Sequence, residues 1–123
     1  MNNRVSKCDI IARLKSRIHI LDGAMGTMIQ RENLSVDDFR GSVVNYDILN
    51  ITRRDIIEKI HKAYIEAGAD IIETNTFNGT AISQRMYGCE GAVYDINLEG
   101  ARIAKSVAEE AGVIYGKEGL VAG

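Results

Sequence analysis

Proline is absent from all 123 residues, tryptophan is absent too, and there are only two cysteines. Average usage of about 5% proline would give roughly six, so the turns of this chain must rest on Gly, Asn and Asp. Two cysteines, Cys8 and Cys89, cannot build the disulfide framework of a small secreted fold, and they form no CxxC pair. They are expected to be free thiols in a reducing cytoplasm. No apolar run approaches the roughly 20 residues of a membrane span. The N-terminal stretch Met1-Asn2-Asn3-Arg4-Val5-Ser6-Lys7 lacks the apolar core of a signal peptide. Basic excess is missing as well: 15 Lys and Arg face 17 Asp and Glu, a net charge of -2. That balance argues against nucleic acid as a partner. What remains, 46% hydrophobic and 26% charged residues, is the composition of a soluble globular domain.

Helix and strand signals alternate along the chain. Residues 8–16 suit a short helix with Ile11 and Leu14 on one side. Ile18-His19-Ile20-Leu21 reads as a buried strand that stops at the turn Asp22-Gly23. A short helix is expected over 24–31 and loop over 35–50. Thr52 offers an N-cap with Asp55 as its capping-box partner. Ile56, Ile57, Ile60, Tyr64 and Ala67 then draw an apolar stripe on a helix over 53–67, closed by Gly68. Residues 70–77 begin apolar and β-branched and end polar, as a parallel strand does when its C-terminal end opens onto a site. After Asn78-Gly79, a short helix is expected over 80–87. The longest helix is expected over 92–111, closed by Gly112, and a third strand begins at Leu120-Val121-Ala122.

Strand–helix–strand–helix–strand order predicts an α/β fold with about three parallel strands. A complete (β/α)8 TIM barrel takes about 250 residues. The chain is therefore expected to be the N-terminal portion of such a barrel, one partial domain over residues 1–123 cut at its third strand.

Two segments carry chemistry. Asp22-Gly23-Ala24-Met25-Gly26-Thr27 follows the first strand, where loops of parallel α/β folds face the ligand. Its small residues let backbone N–H groups approach a carboxylate or phosphate, and Asp22 can meet an ammonium group. A tight turn without a ligand is the plainer reading, and the GxGxxG fingerprint is missing. Glu73-Thr74-Asn75-Thr76 ends the second strand. Either one or two of these line a pocket, with Asn75 and Thr76 the candidates, or they bond neighbouring loops and cap the next helix. His19 and His61 have no converging partners and read as structural or solvent-facing. Cys89 reads as inert. Arg53-Arg54-Asp55 and Ala108-Glu109-Glu110 read as solvated helix ends, although Arg53 and Arg54 oppose the helix dipole.

Ile20-Leu21-Asp22-Gly23-Ala24-Met25-Gly26-Thr27-Met28-Ile29-Gln30 resembles the opening of the homocysteine-binding barrel of cobalamin-dependent methionine synthases. So does Ala67-Gly68-Ala69-Asp70-Ile71-Ile72-Glu73-Thr74-Asn75-Thr76-Phe77. Asp38-Phe39-Arg40-Gly41, Asn45-Tyr46-Asp47-Ile48-Leu49-Asn50 and Ile60-His61-Lys62-Ala63-Tyr64 agree in order and spacing. The resemblance implies a methyltransferase barrel that binds homocysteine as a zinc thiolate and methylates its sulfur to give methionine. Asp22 would meet the substrate ammonium, and the N–H groups of Gly23 and Ala24 its carboxylate.

It also implies three cysteine zinc ligands, two of them adjacent, and a substrate-binding glutamate. All would lie beyond Gly123, so neither Cys8 nor Cys89 inherits a metal role. Cobalamin and folate modules would belong to the full-length parent, and this chain alone would be inactive. Three features mark a divergent member: a short stretch between Gly41 and Asn45, Arg54 where proline is common, and the Arg85-Met86 pair. Two alternatives remain open at this point. One is a small amino-acid- or phosphate-binding module without catalysis. The other is a homocysteine methyltransferase that uses betaine or S-methylmethionine.

Overall fold

A computed structural model describes residues 7–42 and 44–123. Residues 1–6, which bear on the signal-peptide reading, and Val43, in the short stretch before Asn45, lie outside the described residues. The elements in order are α1 (Lys7–Ser16), α2 (Gly26–Ile29), a 3₁₀ turn (Tyr46–Ile48), α3 (Leu49–Thr52), α4 (Arg54–Glu66), β1 (Ile71–Glu73), α5 (Ala81–Arg85), a second 3₁₀ turn (Glu90–Ala92), α6 (Val93–Tyr115) and β2 (Leu120–Ala122).

β1 and β2 pair in parallel, with Ile71 opposite Leu120, Ile72 opposite Val121 and Glu73 opposite Ala122. Parallel neighbours require a crossover, and here it runs through α5 and α6. The stretch 18–21 lies along the other side of β1 through one parallel bridge, Leu21 to Ile71. Ile20 O accepts from Asp70 N at 2.8 Å, and Asp22 N donates to Ile71 O at 2.9 Å. The expected first strand is thus reduced to a bridge, and it is not buried: Ile18 is 89% and Ile20 59% exposed. Its backbone pairs with β1, but no described element covers its side chains. A β-branched run reports a preference for pairing, and only tertiary packing supplies burial. These three parallel segments are consistent with part of a (β/α)8 barrel.

Asp70 ties the N-terminal ends of the segments together. Its carboxylate is 3% exposed and takes a bidentate pair from Arg17 at 2.8 and 3.0 Å. It also accepts from Ile20 N at 2.9 Å and from Lys117 just before β2. These donors, the Arg17 guanidinium first, hold the carboxyl well below the usual carboxylate range.

The core forms where α4 crosses the neighbouring helices. Ile56, Ile57 and Ile60 of α4 are buried, and they cluster with Ile29, Phe39, Leu49 and Ile103. Gly68, just past α4, has φ +108°, a conformation that favours glycine. The start of α4 differs from expectation. Thr52 does not cap it but ends α3, and its hydroxyl donates to the carbonyls of Asp38 and Ile48. Arg53 stands at the N-cap and clamps Asp55 at 2.9 and 3.0 Å. Arg54 pairs with Glu58 at 3.0 Å. The two arginines that oppose the dipole are therefore neutralised locally by carboxylates. α6 runs beyond Gly112 to Tyr115, and Gly116, with φ +68°, closes it. A glycine inside a helix costs only about 1 kcal/mol, so Gly112 is no stop. α1 has no buried residue, and Ile11 and Leu14 are 43% and 44% exposed. No helix among the described residues is long and apolar enough to cross a membrane.

Candidate functional site

A cleft of about 780 Å³ opens at the C-terminal ends of segment 18–21, β1 and β2. The loop from Asp22 to Thr27 forms one wall, Tyr46 and Asp47 a second, and the stretch from Glu73 to Asn78 a third, with Ala122 and Gly123 at the end of β2. Asp22, Gly23, Ala24, Asn75 and Thr76 all line it. This is where ligand loops collect in parallel α/β folds, because strand ends terminate together and the chain must turn there.

The first wall is held from below. Tyr64 of α4 donates its hydroxyl to Ala24 O at 2.7 Å. A Cβ at Gly23 would lie 3.1 Å from that same hydroxyl oxygen, and one at Gly26 would lie 3.1 Å from the Tyr46 ring. Glycine at these two positions lets the loop settle against the rings. The N–H groups of Gly23 and Ala24 have no hydrogen-bond partner among the described residues. Beside them, Asp22 Oδ2 accepts from Glu73 N at 3.0 Å, while its buried Oδ1 has no partner. Burial pushes the Asp22 carboxyl up, with the Glu73 N–H working against it. Two free donors thus stand next to an unsatisfied carboxylate oxygen, an arrangement complementary to a zwitterion.

The third wall is fixed by amides. Asn75 Nδ2 donates to Tyr46 O and to Asn50 Oδ1, each at 3.0 Å. Asn50 Nδ2 donates to Asn75 O at 2.7 Å and to Ile96 O at 3.1 Å. The Thr76 hydroxyl bonds to that of Thr74 at 2.7 Å. Asn75 and Thr76 therefore line the cleft and also bond neighbouring groups. They do not cap the next helix: Thr80 caps α5, accepting from Ser83 N at 3.2 Å.

Asp47 is the cleft residue that sequence reasoning missed. It is 2% exposed, and its Oδ2 accepts from Asn78 N at 2.7 Å. Burial pushes its carboxyl up to about 6. Asn45 and Gln84, both fully buried, exchange a reciprocal amide pair at 2.9 and 3.0 Å. The available signal was Asn45, Asp47 and Asn50 interleaved with Ile48 and Leu49. So many polar groups beside apolar ones fit a satisfied buried network better than a solvated loop.

The histidines and cysteines stand apart from the cleft. His61 is completely buried with both ring nitrogens unpartnered, and burial lowers it to about 4. His19 lies with Nδ1 3.0 Å from Arg17 O. Cys8 is exposed and Cys89 half-buried. Among the described residues no three His, Cys, Asp or Glu side chains converge as metal ligands. The described residues do not fit a zinc ion.

Residues 19–123 match the family model of homocysteine S-methyltransferase. The chain belongs to the homocysteine S-methyltransferase family. The match begins within segment 18–21 and includes every wall of the cleft. Membership implies methyl transfer to homocysteine, with homocysteine as the substrate.

Proposed function

We propose that this chain holds the amino-acid end of homocysteine in a methyltransferase that converts homocysteine to methionine. The observation that carries the reading is the pairing of Asp22 Oδ1, buried without a partner, with the unbonded N–H groups of Gly23 and Ala24. A buried acceptor left unpaired costs about 1–3 kcal/mol, and a substrate ammonium would relieve that cost. The two N–H groups would take the carboxylate. Asn75 and Thr76 keep the facing wall in place through their bonds to Tyr46, Asn50 and Thr74.

The sulfur would extend away from this anchor. On this reading its activation belongs to zinc ligands outside the described residues, so the chain by itself binds without turning over. The cobalamin-dependent type is favoured by Asp38-Phe39-Arg40-Gly41 and by Glu73-Thr74-Asn75-Thr76-Phe77. Cobalamin and folate modules would belong to the full-length parent, acting in the cytoplasm.

Titration calorimetry of the full chain with L-homocysteine tests the binding claim. Saturable heat that Asp22→Asn weakens at least tenfold supports it. No heat with the unaltered chain, or equal heat with the variant, overturns it. Methionine formed by the chain alone would overturn the claim of inactivity.

A further inference from the structure

Among the described residues, the cleft is lined by three acidic side chains, Asp22, Asp47 and Glu73, and by no Lys, Arg or His. Asp22 comes from the end of segment 18–21, Glu73 from the end of β1, and Asp47 from the 3₁₀ turn before α3. Tyr46 is the remaining titratable side chain in the lining. Asp47 differs from the other two in burial: it is 2% exposed, Asp22 is half-buried and Glu73 is exposed. One of its oxygens is used by Asn78 N at 2.7 Å, and the other has no partner among the described residues. A buried carboxyl on a cleft whose described lining holds no cation is shifted toward its neutral, protonated form.

We propose that Asp47 links ligand binding to proton release: the fraction of Asp47 that is protonated before binding gives its proton up to solvent when a ligand ammonium enters the cleft. The balance is simple. Protonated Asp47 and the free ammonium ligand become carboxylate, bound ammonium and one solvent proton, and no covalent bond to the ligand changes. The incoming positive charge does for Asp47 what no side chain of the cleft does. Burial moves Asp47 up to about 6, which places this exchange in mildly acidic solution.

The inference rests on the homocysteine reading and deepens it. Asp22 remains the direct ammonium partner, and Asp47 supplies the second negative charge and the pH dependence. Together they favour ligands that carry an ammonium group. An amino acid whose nitrogen is acylated would not discharge Asp47.

Calorimetry of the full chain with L-homocysteine, repeated at pH 6 in buffers of different ionisation enthalpy, reads the protons released. The expected value is roughly half a proton per ligand at pH 6, falling toward zero by pH 8. Asp47→Asn should weaken homocysteine binding and abolish the pH 6 release in the binding that persists. Carboxyl carbon NMR of the unaltered chain gives a reading that needs no variant: the Asp47 titration should move down by at least one pH unit on saturation with homocysteine. No binding by the unaltered chain would defeat the homocysteine reading and this inference together. Binding with no proton release, release that survives in Asp47→Asn, or an Asp47 titration that does not move would defeat this inference alone.

Discussion

The Tyr64 hydroxyl donates to the Ala24 carbonyl at 2.7 Å, so a helix side chain holds the loop that carries the candidate anion donors. The carbonyl is occupied from one side while the adjoining N–H groups stay unbonded. Tyr64→Phe keeps the ring that packs on Gly23 and removes only the bond. It should lower stability by about 1 kcal/mol and weaken homocysteine binding several-fold. Urea denaturation and calorimetry separate the two effects, and an unchanged affinity would show that the bond does not order the loop for binding.

Gly100 of α6 lies where the helix meets the Asn50–Asn75 network. A Cβ there would come within 2.8 Å of Asn50 Nδ2 and 2.9 Å of Thr76 Cγ2. Alanine would gain about 1 kcal/mol of helix propensity but would displace an amide that bridges two carbonyls. Overpacking typically costs about 1–3 kcal/mol. Gly100→Ala should therefore be net destabilising despite its better helix propensity, read as a lower denaturation midpoint. A gain in stability would show that the network yields easily.

Asp47 binds its proton more tightly folded than unfolded, since burial raises it from 3.8 to about 6. Its contribution to stability is therefore most favourable below pH 3.8 and is lost as pH rises through about 6. Asp47→Asn retains an acceptor for Asn78 N and removes the buried charge. It should stabilise the chain by about 1–3 kcal/mol at pH 8 and have little effect at pH 4. Thermal melts at the two pH values check this, and a variant destabilised at pH 8 would contradict it.

His61 works in the opposite sense. Its unfolded imidazole takes a proton near 6.5, but the buried ring does so only near 4. Stability is full above 6.5 and falls as pH drops toward 4, by roughly 3 kcal/mol over that window. His61→Leu removes two unpartnered nitrogens at similar volume. It should flatten the acid limb of the stability curve, measured by denaturation between pH 7 and 4. An acid limb identical to that of the unaltered chain would place the loss elsewhere.

The sequence by itself determined the alternation of helical and extended segments from residue 53 on, the parallel relation of the extended segments that the structure pairs at 71–73 and 120–122, and the gathering of Asp22, Gly23, Ala24, Asn75 and Thr76 at the strand ends. Periodicity and turn residues act over a few positions, and strand order then brings the loops to one end. It did not determine the cap of α4, the end of α6 or the exposure of Ile18 and Ile20. Thr52 had two possible bonding partners, and the carbonyls of Asp38 and Ile48 took it. Gly112 could continue a helix as readily as end one. An isoleucine is buried only if another element covers it. Asp47 and His61 were decided by tertiary structure alone: each reads as an ordinary polar residue, and its protonation is set by how much water the surrounding elements exclude, a quantity no local pattern encodes.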